Sequence, residues 1–522
     1  MKKNYRSGLI LNQATAPVRS LRSSIIWLTW FSGLLAISAL LTLVMVRSEP
    51  GQSFFAWVVF LSGIAVILYQ PRYGIYLVAF FGLAGDGILT PWFPFVKNFS
   101  SQESLLYIND ALIINPLEAY IALIFISWLI RAVSQRKINF YSGPLLIPAL
   151  VFLGFVIFGL YYGLSTRGNV NIALWESRPM FYMVAMIILV SNLLTEREHY
   201  ANLLWSALLG LFFEALAGNY YYFVSLRADL TNMTAITDHP AAVHMNTVFV
   251  FFLGSMLYKI SSAKRVALLF IVPFIFLTYI GTQRRAAFVA LAAALILIAV
   301  LLYLENRRAF WLIVPITSLI LFAYVVAFWN VTHPLGLPAQ AIKSVIAPNS
   351  VGIADRGSNV YREIENINLN FTIQQKPITG IGFGQKFYII APLPNISWFD
   401  WWQYFPHNSF IWIWLKTGVF GFAAMLFLMG STIMLGARTL WRMPRNELSV
   451  VALTAVLYVV MQLMFSYVDI GWDSQSVLYL GIMMGIINSL EHVVAKPVPV
   501  PKKRWHWQSD LQKQPDLLPL PE

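Results

Sequence analysis

Residues 404–415 read YFPHNSFIWIWL and run directly into KTG. His407 stands where polar sequence gives way to an apolar run, between a proline and two residue types that cap helices. A histidine held at such an edge and partly desolvated can act as a neutral base near pH 7, because its ordinary pKa lies close to that value. The same position also suits a histidine that only belongs to the capping turn. Pro406 ends the extended segment before it, and Asn408 or Ser409 is placed to cap the first turn after it.

Four arginines offer the complementary chemistry. Arg284 and Arg285 adjoin in GTQRRAAFVAL, at the junction of two apolar runs. Their planar forks donate paired hydrogen bonds and stay charged, which suits a phosphate or diphosphate; snorkelling to lipid phosphates is the alternative. Arg356 and Arg362 lie in RGSNVYREIENINLNFTIQQ, where Ile364, Ile367, Phe371 and Ile373 have the spacing of an amphipathic helix. An internal pairing of Arg362 with Glu365 or Asn366 is the other reading. Gly380, Gly382 and Gly384 form G-x-G-x-G without the third position of the dinucleotide fingerprint and without a βαβ unit. They read as a flexible turn that passes close to another part of the chain.

Other titratable positions have less support. Asp238, His239 and His244 could hold a metal, but the two histidines do not share a helix face, and a polar outer loop is the preferred reading. Glu118 and Glu214 fall inside expected spans, where a carboxylate needs a partner or a role. Asp86 and Glu176 fall near span ends and could orient a substrate. His199, His333, His492 and His506 carry no motif. The aromatic run Trp398, Phe399, Trp401, Trp402, Tyr404 and Phe405 fits an interfacial belt, with which a surface for sugars or lipid tails is compatible.

The elements that position these residues are membrane helices. The chain of 522 residues is 58% hydrophobic and 11% charged, whereas a soluble domain carries about 25% charged residues. Repeated apolar runs each match a hydrocarbon core of about 30 Å, and helices satisfy their own backbone in lipid. The fold class is therefore all-α, a polytopic membrane bundle of about twelve to fourteen helices with one long, partly helical extracytoplasmic loop. Spans are expected near 25–46, 54–70, 73–90, 111–130, 144–163, 179–194, 202–224, 243–258, 266–282, 285–303, 309–328, 408–436, 449–467 and 474–490. This divides the chain into a basic N-terminus (1–24), a first bundle (25–328), the long loop (329–407), a second bundle (408–490) and a proline-rich disordered tail (491–522).

The net charge of +13 is spread over short alternate loops, which is a topological pattern and not a nucleic-acid surface. With both termini cytoplasmic, the basic loops around Arg72, Arg131, Arg136, Lys137, Lys259, Lys264, Arg265, Arg307, Arg308, Arg438, Arg442 and Arg445 fall inside, and the long loop falls outside. No cleavage site follows the basic N-terminus, so the first span is expected to be retained. The chain has no cysteine, which excludes disulfides, thiolate metal sites and cysteine catalysis.

GTQRRAAFVALAAAL, then YREIENINLNFTIQQKPITGIGFG, then FPHNSFIWIWLKTG, in that order, resemble the O-antigen ligase/polymerase (Wzy-type) superfamily of bacterial membrane glycosyltransferases, over about residues 278–421. The resemblance implies transfer of a glycan from a polyprenyl (undecaprenyl) diphosphate donor to an acceptor hydroxyl on lipid A-core or another lipid-linked glycan. The reaction would be inverting, at the outer face of the cytoplasmic membrane, with no metal, cofactor or nucleic acid and with membrane lipids as surroundings. It assigns His407 as general base and Arg285 and Arg362 as catalytic, with Arg284 and Arg356 as further diphosphate ligands. Pro406, Asn408, Ser409, Gly380, Gly382 and Gly384 would support them. An alanine follows Arg285 where the family commonly has glycine. Two other readings are a protein O-oligosaccharyltransferase of the same superfamily and a transporter of an anionic lipid-linked glycan, which calls for charges or broken helices near the membrane midplane.

Overall fold

The computed structural model describes residues 53–495 apart from 137–138, 230–234, 259, 332–333 and 395–400, together with residues 28, 32 and 35. The basic N-terminus, nearly all of the first expected span, the proline-rich tail beyond Ala495, and Lys137, Lys259, His333, Trp398, Phe399 and His506 lie outside the described residues; 491–495, expected in the disordered tail, continue the last helix.

Among the described residues, thirteen helices make the bundle: α1 (Ser53–Tyr69), α2 (Pro71–Ala84), α3 (Pro116–Ser134), α4 (Leu146–Ser165), α5 (Val170–Leu193), α6 (Arg197–Tyr220), α7 (Ala241–Leu257), α8 (Ser262–Gly281), α9 (Arg285–Glu305), α10 (Arg307–Ala327), α13 (Ser409–Arg442), α14 (Glu447–Val468) and α15 (Ser474–Ala495). The long segment between α10 and α13 holds α11 (Leu337–Ile346) and α12 (Ile353–Gln375). Among the described residues ten helices are long and apolar enough to cross a membrane, so the chain is an all-α polytopic bundle.

Local sequence fixes where the helices begin. Asn115 caps α3 in a capping box with Glu118, with Pro116 in the first turn; Asn169, Asn306, Asn408 and Asn446 each accept an N–H at the start of α5, α10, α13 and α14. Each satisfies a backbone donor that the first turn leaves open. The largest departure from expectation is α5, which starts at Val170 and runs through Pro179. The sequence E-S-R-P reads as a boundary, yet Arg178 reaches Glu118 at 3.1 Å and Glu176 also finds a partner, so both charges are accommodated.

Helices α6, α14 and α15 bury most of their residues against other helices, while α10 buries almost none and presents its side chains outward. Lipid competes for apolar surface as well as protein does, so close contact depends on small residues. Gly481 and Gly485 of α15 show this, because a Cβ on either would press into the Met183 and Met186 backbone of α5.

Alternate helix ends fall at opposite ends of the bundle. At one end sit basic residues with partners on neighbouring helices: Arg72 with His199, Lys264 with Glu447, Arg445 with Glu305, and Arg442 with Glu491. These are the loops whose charge pattern suggested a common side. The other end carries the long segment and the candidate site.

Candidate active site

Helix α12 lies across that end on a face that apolar spacing alone does not identify. Ile367 is exposed, whereas Tyr361, Glu365, Asn368, Leu369, Thr372 and Ile373 are buried. The inward stripe is half polar because it serves as a fastener. Asn368 accepts from the N–H groups of Ile390 and Ala391 and donates to the Ala391 carbonyl. Glu365 accepts from the His407 N–H at 2.9 Å and lies 3.3 Å from His407 Nδ1. The pairing of Arg362 with Glu365 or Asn366 is therefore replaced by one in which both acceptors turn toward α13.

The PHNS stretch is the joint between α12, α13 and the turn after α14. Asn408 caps α13 with its oxygen and donates from Nδ2 to Asn366. Ser409 is not the cap: its hydroxyl donates to the Asp469 carbonyl and accepts from the Gly471 N–H. His407, fixed through its main chain and Nδ1, keeps Nε2 on the open side. A carboxylate can only accept, so Nδ1 carries the proton and neutral His407 presents a lone pair at Nε2.

Asp469, at the end of α14, gathers the positive groups. Its Oδ1 is 2.7 Å from His239 Nδ1 and its Oδ2 is 3.6 Å from Arg362 Nη2. Burial alone would raise this carboxyl, but His239, then Arg362 and Arg284, hold it well below the usual range. Arg284 stands in the turn between α8 and α9, where Gln283 takes a left-handed φ of +53°. Such a conformation costs a non-glycine residue about 1 kcal/mol or more. Burial lowers the Arg284 guanidinium, and Asp469 and Asp238 oppose that. Arg285 donates to Asn359 one turn before Arg362. Arg284, Arg285 and Arg362 thus converge, whereas Arg356 is exposed.

The acids stand behind and the cations in front. Side-chain exposure is 2% for Asp469 and 1% for Glu365, against 26% for Arg362, 23% for His407 and 25% for His239. The buried Nε atoms of Arg284 and Arg362 have no hydrogen-bond partner among the described residues. A ligand entering here meets donors and positive charge first.

Asp469 also predicts a pH dependence. Its folded pKa lies below the ordinary carboxylate value, so its contribution is present above about pH 4 and is lost as pH falls through the folded value. Asp469→Asn should lower thermal stability near neutral pH, with a deficit that shrinks below about pH 4. Unfolding scans against pH check this; a deficit independent of pH contradicts it.

The glycine segment has a different job. Gly382 has φ +86°, and a Cβ there would lie 2.4 Å from the Gly163 Cα of α4. Gly380 and Gly384 pack on Leu415 and Asn169 in the same segment. The close approach expected from the sequence is to α4, α5 and α13.

Helix α13 is broken to admit this segment. Gly418 has φ +73°, with the Ile378 carbonyl where a Cβ would stand. Beside the break, Lys416 pairs with Glu176 at 2.8 Å and donates to the Gln385 carbonyl at 2.8 Å, while the Gly384 N–H donates to Glu176 at 2.6 Å. Glu176 therefore anchors this segment and is not free to orient a substrate.

The remaining candidates separate. His244 is buried on Ser476, away from His239 on Asp469, so Asp238, His239 and His244 do not form a shared metal site. Asp86 accepts N–H groups of Ile88, Leu89 and Asp238, and burial followed by the Asp238 charge pushes it up to about 7. Glu214 is buried in α6. The aromatic run turns inward where it is described: Trp401 and Phe405 pack on Trp175, and Phe405 on Trp412, which is itself buried. The α5 surface thus offers these rings aromatic partners. Sequence reasoning missed Glu365 and Asp469. The signal for the second was present in VDIGWDS, two aspartates in a short turn between apolar spans.

Residues 267–426 match the family model described as O-Antigen ligase (Wzy_C). The matched stretch contains Arg284, Arg285, Arg362, His407 and the broken part of α13, while Asp86, His239 and Asp469 come from outside it. No curated protein matches the chain. Set in a polytopic helical bundle, this matched stretch supports the O-antigen ligase/polymerase superfamily.

Proposed function

We propose that the protein transfers a glycan from a polyprenyl diphosphate to an acceptor hydroxyl, as a ligase to lipid A-core or as a polymerase to another lipid-linked glycan. The reaction belongs at the outer face of the bacterial cytoplasmic membrane, with both termini in the cytoplasm. The observation that carries this reading is the convergence of Arg284, Arg285 and Arg362 beside His407, whose Nε2 is left open by Glu365.

The roles follow from charge. As the glycosidic bond breaks, negative charge builds on the departing diphosphate, and fixed guanidinium groups stabilise that state more than the ground state. The acceptor hydroxyl attacks from the opposite side, which inverts the anomeric centre, and His407 Nε2 takes its proton. A transporter calls for a broken helix carrying charge, and α13 is broken, but Lys416 and Glu176 there are fully buried and paired with each other. That leaves no charge at the break to receive a substrate.

In a host lacking the native gene, Arg362→Lys and Arg284→Lys should each lower glycan transfer about tenfold or more, because charge remains while the two-pronged donor is lost. Arg356→Ala should retain transfer. Surface polysaccharide on gels reads the result. Wild-type product from both lysine variants would remove the diphosphate clamp, and with it this reading. Accumulated lipid-linked polymer marks a ligase, and accumulated single repeats mark a polymerase.

A further inference from the structure

We propose that His239, held by Asp469, meets the leaving diphosphate and gives it a proton as the glycosyl bond breaks. This rests on the transfer reaction above and adds a residue to it from outside the matched domain. The site contains two histidine–carboxylate pairs that face each other. In one, Glu365 holds His407 through Nδ1; in the other, Asp469 holds His239 through Nδ1 at 2.7 Å. The two rings meet edge to face with centroids 6.1 Å apart, and each leaves its Nε2 without a protein partner among the described residues.

The two pairs differ in their surroundings. Glu365 is bound to the main chain of His407 as well as its ring, and Tyr361 closes over that ring at 5.3 Å. His239 instead shares Asp469 with Arg362 and with the field of Arg284, the groups assigned to the diphosphate. Its own N–H is fixed by Asp238, whose N–H is in turn held by Asp86. The charged and titratable groups around His239 are therefore Asp469, Asp238, Asp86, Arg284, Arg362 and His407. Its position is on the diphosphate side of the site, while His407 is on the acceptor side.

The step balances between them. The bond from the anomeric carbon to the diphosphate oxygen breaks, and its electron pair stays on that oxygen. The acceptor oxygen bonds to the anomeric carbon, and its proton goes to His407 Nε2. Imidazolium His239, with Nδ1–H on Asp469, passes its Nε2 proton to the diphosphate. One proton returning from His407 to His239 through water restores both rings without any other reactant.

The test uses the full chain in lipid nanodiscs and undecaprenyl diphosphate, the product shared by all transfer readings, with undecaprenyl monophosphate as comparison. His239→Asn places an amide near Nδ1, keeping the Asp469 contact while removing Nε2. Diphosphate affinity should fall about ten- to hundredfold, because a charge-assisted hydrogen bond is lost. Monophosphate binding should change by less than about threefold. Transfer in a host lacking the native gene should fall about a hundredfold or more. His239→Gln, which restores a neutral donor near Nε2, should recover part of the binding but not the transfer. Wild-type diphosphate affinity in His239→Asn, or wild-type transfer, overturns the inference. If Arg362→Lys weakens diphosphate binding while His239→Asn does not, only this inference falls. If neither variant does, the transfer reading falls with it.

Discussion

His407→Gln is expected to abolish surface glycan, with transfer down about 10²- to 10⁴-fold, the usual contribution of a positioned base. Glutamine can place an amide nitrogen near the position of Nε2, and Asn408 and Ser409 still start α13 and hold the Asp469 turn. The loss is therefore chemical, with folding retained. Complementation of a host lacking the native gene, alongside the amount of intact protein in the membrane, separates these effects. Wild-type glycan from His407→Gln would sink the base assignment. Glu365→Gln should act in the same direction by a smaller factor. Its amide can still accept the His407 N–H but no longer fixes which ring nitrogen carries the proton.

The largest stability effect is expected at Lys416. Lys416→Met leaves the Glu176 carboxylate buried without its counter-charge and should destabilise the protein by about 3–5 kcal/mol. Combining it with Glu176→Met removes both charges and should recover much of that loss, since a buried pair often contributes little net stability over apolar residues. Recovery will be incomplete, because Glu176 also accepts the Gly384 N–H and Lys416 also reaches the Gln385 carbonyl. Thermal unfolding of the two single variants and the double variant, in one detergent, gives the coupling. Equal stability of Lys416→Met and wild type would show that the pair is not what fastens the glycine segment.

The bundle was legible in the sequence because each span repeats the same demand, an apolar run bounded by charge. The joint at PHNS was legible in part: the cap and the edge histidine follow from residue type, while Glu365 does not. A glutamate in a polar helix looks solvent-bound until the fold turns it inward, and apolar spacing does not show that Glu365, Asn368 and Thr372 of α12 are buried. Asp469 and His239 lie far from the motifs in sequence and meet them only where α7, α13 and α14 end together. The aromatic run shows a related limit. Composition places aromatic rings at an interface but cannot say that Trp175 is there to receive them. The break at Gly418 was hidden because K-T-G sits inside an otherwise continuous apolar run, although a lysine so placed demands a partner.

That break has a bearing on synthesis. Glu176 emerges from the ribosome far ahead of Lys416, and the glycine segment emerges between them with its seat half built. Until α13 arrives, the carboxylate lacks its counter-ion and the segment lacks one wall. The last stages of insertion therefore decide whether residues 377–385 settle among α4, α5 and α13. Through His407, which begins that same helix, the end of the protein that carries the candidate site is completed only after more than three-quarters of the chain has been made.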